Sequence, residues 1–596
     1  MPCIRKRFIA RLRKYFIWIA AAIYISILLF IYLTTAQNDQ RTIRDTQEIE
    51  AGIKRLRKLQ RTMFINPKRP DDSVYNINIT LSEQIALDRE IPDVRPEGCS
   101  SMRYDISKMP KTSVVIIFYN EALSMILRTV HSVLNRSHKS LLEEVILVDD
   151  ASTNEDLRTY LRPYISNLPK VKLLTNKKRL GLIKARLLGF HNAVGEFVFF
   201  QDAHTEANVQ WLEPLLNEIL KNPRTVIQPY VDEIDTKTLE YRGSTGRVSR
   251  GGFSWDLRYT WTDIPDHEWN RVTRLANEEN IPPISYPFRS ATLVGCAFGV
   301  LKKYFIHLGT FDEDFKIWGG ENIELAWRTW QCHGQVLTHP CSRVAHTFKP
   351  FAYKFDGDRE KIVQKNLIRT AATWMDDYAK YFYAITYAWV SKRTYLTDDE
   401  KKTLQKRKDL RKRLQCKSFE WYLVNIAPEV NIPPADAIHG GEIFNTKTES
   451  CWHVRSSGYI GITTECFFHR TVPENEFFMK PSRHVYIGDK VLRVDKGSWL
   501  LYISDKEPSS DNDEIWSMEH DGYYTGKIVV NYSHLGKARK ACATQVTNVH
   551  KIHQMEQMVQ MTDCSDTDRF QNWRWTYKFN WNYKFDKDHA QPERDE

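Results

Sequence analysis

The first long apolar block of the chain runs from Tyr15 to Leu33, contains no charged residue and is about long enough to cross a bilayer as a helix. From residue 35 to about 95 the chain is polar and charged without a strand-like run, the pattern of a stem. At Thr112 the character changes. Ser113-Val114-Val115-Ile116-Ile117-Phe118 is continuously apolar and is followed by a helical pattern from Ala122 to Leu134. Next come Val145-Ile146-Leu147-Val148, a further helical stretch, the short run Val171 to Leu174, a helix from about Ile183 to Val194, and Phe197-Val198-Phe199-Phe200. Short buried strands alternating with helices predict a parallel sheet with helices on its faces. Past about residue 437 helical periodicity disappears, and short aromatic or β-branched stretches are separated by Gly, Asp, Asn and Ser. Three weakly similar units carry Glu476-Phe477, Ile515-Trp516 and Gln571-Asn572-Trp573 near their ends, which predicts a separate β module.

Charge gives the apolar block a direction. Arg5, Lys6, Arg7, Arg11, Arg13 and Lys14 precede it, and Asp39 and Asp45 follow among few basic neighbours. Residues 1–14 are therefore expected as a cytoplasmic tail, 15–33 as a signal anchor, and the remainder as lumenal. A cleaved signal peptide would have a shorter apolar region ending in small residues, whereas this one ends Leu29-Phe30-Ile31-Tyr32-Leu33. The net charge of +11 collects in the tail, in Lys54 to Arg61 and in Lys401 to Arg413. With no nucleic-acid motif beside them, these runs read as membrane-flanking segments or solvated helix faces, and nucleic acid is set aside as a partner. Besides Cys3, the cysteines are Cys99, Cys296, Cys332, Cys341, Cys416, Cys451, Cys466, Cys542 and Cys564. No C-x-x-C pair suggests zinc, so disulfides in an oxidising compartment are expected, with a connectivity that spacing leaves open.

In parallel sheets ligands bind beyond the carboxyl ends of the strands. Asn120 and Glu121 follow the first run, Asp149 and Asp150 the second, and Gln201 and Asp202 the fourth. There is no G-x-G-x-x-G after the first strand and no G-x-x-x-x-G-K, so dinucleotide and P-loop sites are excluded and a nucleotide-sugar site remains. Asp202-Ala203-His204 puts a carboxylate and an imidazole on one side of an extended chain, where both can ligate one cation. Oxygen and imidazole ligands suit Mn2+, which also accepts diphosphate oxygens. In Trp318-Gly319-Gly320-Glu321-Asn322-Ile323-Glu324, two glycines permit close backbone approach to a ligand beside a tryptophan face. Glu321 is placed to hydrogen-bond sugar hydroxyls. Glu324, four residues before Arg328, reads equally as half of a surface ion pair.

These strings, together with Thr112 to Ala122, Val145 to Ser152, Trp211 to Leu216, Gly251 to Trp255, Phe315 to Cys332 and Pro340 to His346, give the chain a family likeness. From about Cys99 to its end it resembles the polypeptide N-acetylgalactosaminyltransferases. The resemblance implies a stem over 34–98, an α/β GT-A (Rossmann-like) catalytic domain over 99–430 and an all-β ricin-type β-trefoil lectin domain over 437–586. It implies a single-pass type II protein of the Golgi membrane. The implied reaction carries GalNAc from UDP-GalNAc to Ser or Thr of acceptor proteins with retention, initiating mucin-type O-glycans. It also implies Mn2+ held by Asp202, His204 and His346, with Asp150 and Arg179 around the nucleotide. Trp318, Glu321 and Asn322 match positions lining the donor sugar and active site. Gly295, Cys296, Lys349 and Tyr353 match donor-side positions, the last in the family's mobile loop. The implied disulfides are Cys99–Cys332, Cys341–Cys416, Cys451–Cys466 and Cys542–Cys564, which leaves Cys296 without a partner.

Several positions depart from the family pattern. Ile117 stands where many members have threonine, and Tyr119 where many have histidine. Cys296 replaces a glycine next to the donor sugar, where its side chain is expected to crowd the ligand. Lys349 replaces an arginine that grips the diphosphate, and a lysine lacks the bidentate fork. The histidine usual in the following loop is missing from Pro350-Phe351-Ala352-Tyr353. In the β module, Cys451-Trp452-His453 and Cys542-Ala543-Thr544 lack the aspartate of the family's sugar pocket, so the module is expected to fold but to bind GalNAc weakly or not at all. Two alternatives accompany these departures: a non-catalytic relative acting as a Golgi binding or regulatory protein, and a transferase with a changed donor sugar.

Overall fold

The structure, a computed structural model, describes residues 72–596 apart from 245–247, 351–353, 390–393, 465, 467–474, 509–513, 521–525, 535–536, 549–555, 582–584, 587–590 and 593–596. The expected tail (1–14), signal anchor (15–33) and first part of the stem (34–71) lie outside the described residues. Among the described residues no helix is long and apolar enough to cross a membrane. The chain divides into two compact units, Asp71–Asn154 with Lys170–Glu596, and a second whose described part is Glu155–Pro169. The latter is a short helical segment, a π-turn at Leu157–Leu161 continuing as Arg162–Ile165.

Residues 72–98, which sequence assigns to the stem, lie along the α/β domain. Tyr75, Ile77 and Ile79 are buried with Ala122 and Met125, and Leu81, Ile85, Ile91 and Val94 cover Ile234, Leu239, Tyr241 and Ala345. Their apolar residues are spaced singly among polar ones, so no run betrays them in sequence. Arg89 adds a forked ion pair to Glu206 at 2.9 and 2.6 Å.

The four apolar runs form β1 (Thr112–Phe118), β2 (Leu142–Asp149), β3 (Val171–Thr175) and β4 (Phe197–Asp202), all parallel, with β1 between β2 and β4. β1 and β4 are buried on both faces, which is why their sequences are apolar without alternation. The sheet continues through β5 (Thr225–Ile234), β6 (Ala297–Leu301) and β7 (Gln335–His346), in the order Phe288–Arg289, β7, β5, β6, β4, β1, β2, β3. β6 runs antiparallel to both β4 and β5, so the sheet is mixed rather than wholly parallel. The apolar period of a strand carries no information about its direction. Helices α1 (Leu123–Arg136) and α2 (Leu182–Asn192) cover it, and Ile183, Leu187 and Phe190 of α2 pack on Val115, Ile146 and Val148.

Beyond β6 lie α3 (Glu321–Gln331), α4 (Arg359–Trp374) and α5 (Asp398–Arg413). The expected surface pair Glu324–Arg328 is instead interior: Arg328 donates two bonds at 2.9 and 2.8 Å, and Trp374 Nε1 and Arg407 complete the carboxylate's shell at 3.0 and 3.3 Å. The basic run Lys401 to Arg413 is the outer face of α5, with Leu404 and Leu410 turned inward.

Two of the four expected disulfides are re-paired. The bonds are Cys99–Cys341 and Cys332–Cys416, with Cys451–Cys466 and Cys542–Cys564 as expected. Cys332 caps the end of α3, whereas Cys341 sits six residues into β7, about 20 Å further along an extended strand. Each therefore meets a different neighbour. Cys341 and Cys99 flank Ser285, and Cys416 lies beside Lys417, whose N–H bonds Gln331 O at 2.8 Å. Cys296 is free and buried.

From His439 the described residues are almost wholly β: twelve strands form one antiparallel sheet, Phe585–Asp586 pairs with Gln591–Pro592 in a separate ladder, and Arg569–Gln571 makes a single helical turn. Phe477, Trp516 and Trp573, one from each of the three weakly similar units, are all fully buried in a single core with Ile443 and Trp452. That convergence is what internal repetition predicts.

Candidate active site

Register brings the metal-ligand candidates together. Thr205–Ala207, just after β4, pairs antiparallel with the end of β7, so that His346 faces Thr205 and Ala345 faces Glu206. The N–H of Asp202 is held by Cys296 O at 2.8 Å, and that of Thr347 by His204 O at 3.1 Å. One potential ligand atom each from Asp202, His204 and His346 then lies within 4.8 Å of the others. Burial pulls the His346 imidazole down to about 4, leaving it neutral with a lone pair to donate. Its Nδ1 is buried without a hydrogen-bond partner among the described residues, an orphaned polar atom that a role in cation binding explains. Burial acts upward on the Asp202 carboxyl, but His346, Arg186 and His204 outweigh it and hold it below its ordinary value. One carboxylate and two imidazoles fit Mn2+.

Glu321 begins α3 and its Oε2 accepts from Gly319 N at 3.1 Å. Burial pushes its carboxyl up, with Arg186 opposing. Arg186, which the sequence motifs do not single out, sits between the two halves of the site. Its Nη2 reaches Asp202 Oδ1 at 3.4 Å and donates to Gly295 O at 2.5 Å, while Nη1 lies 3.5 Å from Glu321 Oε1. A signal is present: Arg186 lies three residues after Ile183 and four before Phe190, on the buried stripe of α2, where a cation is rarely left unpaired.

The glycines of the Trp318 motif serve packing. Gly319 and Gly320 have φ of 113° and 86°, and a Cβ on Gly320 would stand 2.8 Å from Leu367 of α4. The helix, not a ligand, makes the close approach predicted there. Trp318 faces a cavity of about 910 Å³ also lined by Arg359, Leu367 and Phe382, with Arg574 and Tyr577 contributed by the β domain. Asn322 Nδ2 holds Leu293 O at 2.8 Å and so anchors the segment leading to Gly295. A Cβ on Gly295 would meet Asn322 and Glu321 only at ordinary contact, 3.8 Å.

Just after β2, Asp150 spends both oxygens on the loop before α2, accepting from Asn176 Nδ2, Leu180 N and Gly181 N at 2.8 Å each. Arg179 stacks on Tyr119, its Cζ 3.9 Å from the ring centroid, and donates to Lys354 O. Lys349 bonds Glu121 at 2.7 and 2.8 Å. Tyr353 lies outside the described residues. Cys296 is buried, and burial with the nearby Asp202 charge pushes its thiol up, so it stays protonated.

A mixed α/β sheet with an Asp-x-His strand end, a second histidine from β7 and a buried glutamate define a glycosyltransferase of the GT-A fold. The "Glycosyl transferase family 2" profile matches residues 113–305, and that of the "N-terminal domain of galactosyltransferase" matches 278–350. The chain is 40% identical over 406 residues to polypeptide N-acetylgalactosaminyltransferase 4 of Mus musculus, a match covering 67% of this chain and 63% of that protein. It is 38% identical over 468 residues to polypeptide N-acetylgalactosaminyltransferase 3 of the same organism, covering 76% and 72%. Among solved structures, GalNAc-T7 with UDP, GalNAc and Mn2+ superposes with a TM-score of 0.57 at 26% identity, covering 85% of this chain and 88% of that one. The chain belongs to the polypeptide N-acetylgalactosaminyltransferase family.

Proposed function

We propose that this protein transfers GalNAc from UDP-GalNAc to Ser or Thr side chains of proteins, dependent on Mn2+ and with retention at the anomeric carbon, as the first step of mucin-type O-glycosylation. The observation that carries this reading is the convergence of Asp202, His204 and His346 from two strand ends, joined through Arg186 to Glu321. Asp202, His204 and His346 would hold the metal, which when bound takes up the growing charge of the departing diphosphate, so no strong protein base is demanded. Arg186 holds Glu321 and Asp202 in fixed relation and fastens the Gly295 carbonyl. Glu321, buried at the start of α3, faces the sugar hydroxyls. The cavity beside Trp318 has the volume to admit a short acceptor segment between the α/β and β domains.

Golgi residence, with a type II anchor at 15–33 and the catalytic part in the lumen, belongs to the same reading and rests on the apolar block and its basic flank. So does a ricin-type lectin domain from residue 437. Its weak or absent GalNAc binding is supported by His453, which stands in the pocket triplet and is tied to Asn475 Oδ1 at 2.8 Å. A non-catalytic binding protein is the second reading. It draws on Lys349, whose charge is taken by Glu121. Incubation with UDP-GalNAc, Mn2+ and a mixed peptide library, followed by site mapping and proton NMR of the anomeric centre, tests the proposal. α-Linked GalNAc on Ser or Thr supports it. UDP binding without product favours another donor or acceptor, and no UDP binding favours the second reading.

A further inference from the structure

We propose that Glu121 is a positioning residue of the metal site, fixing which nitrogen of His204 carries the proton while it occupies the charge of Lys349. The inference rests on the metal-dependent reading of this site.

Glu121 follows β1 directly, after Asn120, whose left-handed φ of 51° turns the chain off the sheet edge. Its carboxylate receives four bonds. His204 Nδ1 approaches Oε2 at 2.8 Å, Lys349 Nζ approaches the two oxygens at 2.7 and 2.8 Å, and Ala122 N donates to Oε1 at 3.0 Å. The side chain is 9% exposed and that of Lys349 7%, so water does not compete for these bonds. One carboxylate thus ties together the ends of β1, β4 and β7.

An ionised carboxylate accepts hydrogen bonds only, so Nδ1 of His204 carries the hydrogen and Nε2 keeps the lone pair. Carboxylate partners of this kind orient metal-ligating imidazoles and raise their basicity. Lys349 does the complementary work: its ammonium is matched at both Glu121 oxygens, so its charge is taken up beside the metal site rather than presented to a diphosphate. A purely structural account is also available, in which Glu121 does no more than neutralise a buried lysine. Removing that lysine separates the two accounts, because a mere counter-ion then has nothing left to neutralise.

The experiment uses the full chain and follows free Mn2+ by electron paramagnetic resonance during titration in the presence of UDP. Wild type is compared with Lys349→Met, with the double variant Glu121→Gln/Lys349→Met, which leaves no buried charge behind, and with Glu121→Asp. The expected result is Mn2+ affinity on the order of 10–100-fold weaker in the double variant than in Lys349→Met, at a similar thermal midpoint. Equal affinity in those two would overturn the proposal and reduce Glu121 to a counter-ion. Glu121→Asp keeps a charge for Lys349 but draws the carboxylate back from His204 by one methylene. It too is expected to weaken Mn2+ binding, and wild-type affinity there counts against the proposal even if the double variant fails to fold. Should wild type itself show no UDP-dependent Mn2+ binding, the metal-dependent reading fails and the proposal falls with it.

Discussion

Arg186 Nη1 lies 3.5 Å from Glu321 Oε1, so a single buried cation on α2 stands against the glutamate that opens α3. Burial already pushes the Glu321 carboxyl up, and Arg186 opposes that rise. Removing the cation in Arg186→Met leaves burial unopposed, and the carboxyl ionises only at higher pH. The acid limb of the rate–pH profile is therefore expected to shift upward in this variant, with kcat lower by on the order of 10²–10³. An acid limb at the wild-type position would show that Arg186 does not act on Glu321.

The re-paired disulfides have a direct chemical readout. Non-reducing peptide mapping is expected to recover Cys99–Cys341 and Cys332–Cys416 linked peptides, and no Cys99–Cys332 species. Replacing Cys99 and Cys341 together by serine opens a loop of 242 residues and is expected to cost about 2–5 kcal/mol in denaturant unfolding. An unchanged midpoint would mean that the bond constrains little.

In the β domain, burial and the neighbouring Glu442 push the Glu476 carboxyl up to about 8, against a bond from Asn431. A carboxyl raised in the folded state favours folding below its unfolded pKa, and that contribution is lost as pH climbs toward the folded value. Stability of this domain is expected to fall between about pH 4.5 and 8, by on the order of 3 kcal/mol at pH 7. Glu476→Gln removes the titration, so its thermal midpoint is expected to vary less with pH over that window. Parallel curves for the two proteins would refute the assignment.

Two glycines near the site are expected to behave oppositely. Gly320→Ala forces a left-handed residue against Leu367 and is expected to destabilise by about 1–3 kcal/mol in thermal or urea unfolding. Gly295→Ala meets Asn322 and Glu321 at 3.8 Å, so it is expected to keep the wild-type midpoint and to alter KM for the donor. A destabilised Gly295→Ala would place that backbone in a tighter environment than the one described.

Strands β1, β2 and β4 are legible in sequence because burial on both faces leaves an apolar run, and Asp202 with His204 is legible because the pair closes such a run. What sequence leaves hidden is whatever depends on partners far along the chain. The direction of β6 and the bond between Cys99 and Cys341 are set by how the sheet is assembled, which local periodicity does not encode. Arg186 is legible as a cation on the apolar stripe of α2, but its partners Asp202, Gly295 and Glu321 lie on other elements that local periodicity does not connect to it. Gly319 and Gly320 read as room for a ligand because the helix that fills the space, α4, begins some forty residues later. Glu121 is visible as a strand-end acid, but its two partners lie 83 and 228 positions away.

The most direct test of the central claim is transfer from UDP-GalNAc to Ser/Thr peptides, measured for wild type and Asp202→Ala with and without Mn2+. The account expects product from wild type that requires Mn2+, and none from Asp202→Ala although its fold and disulfides are intact. Transfer by Asp202→Ala at the wild-type rate, or wild-type transfer indifferent to Mn2+, would contradict it.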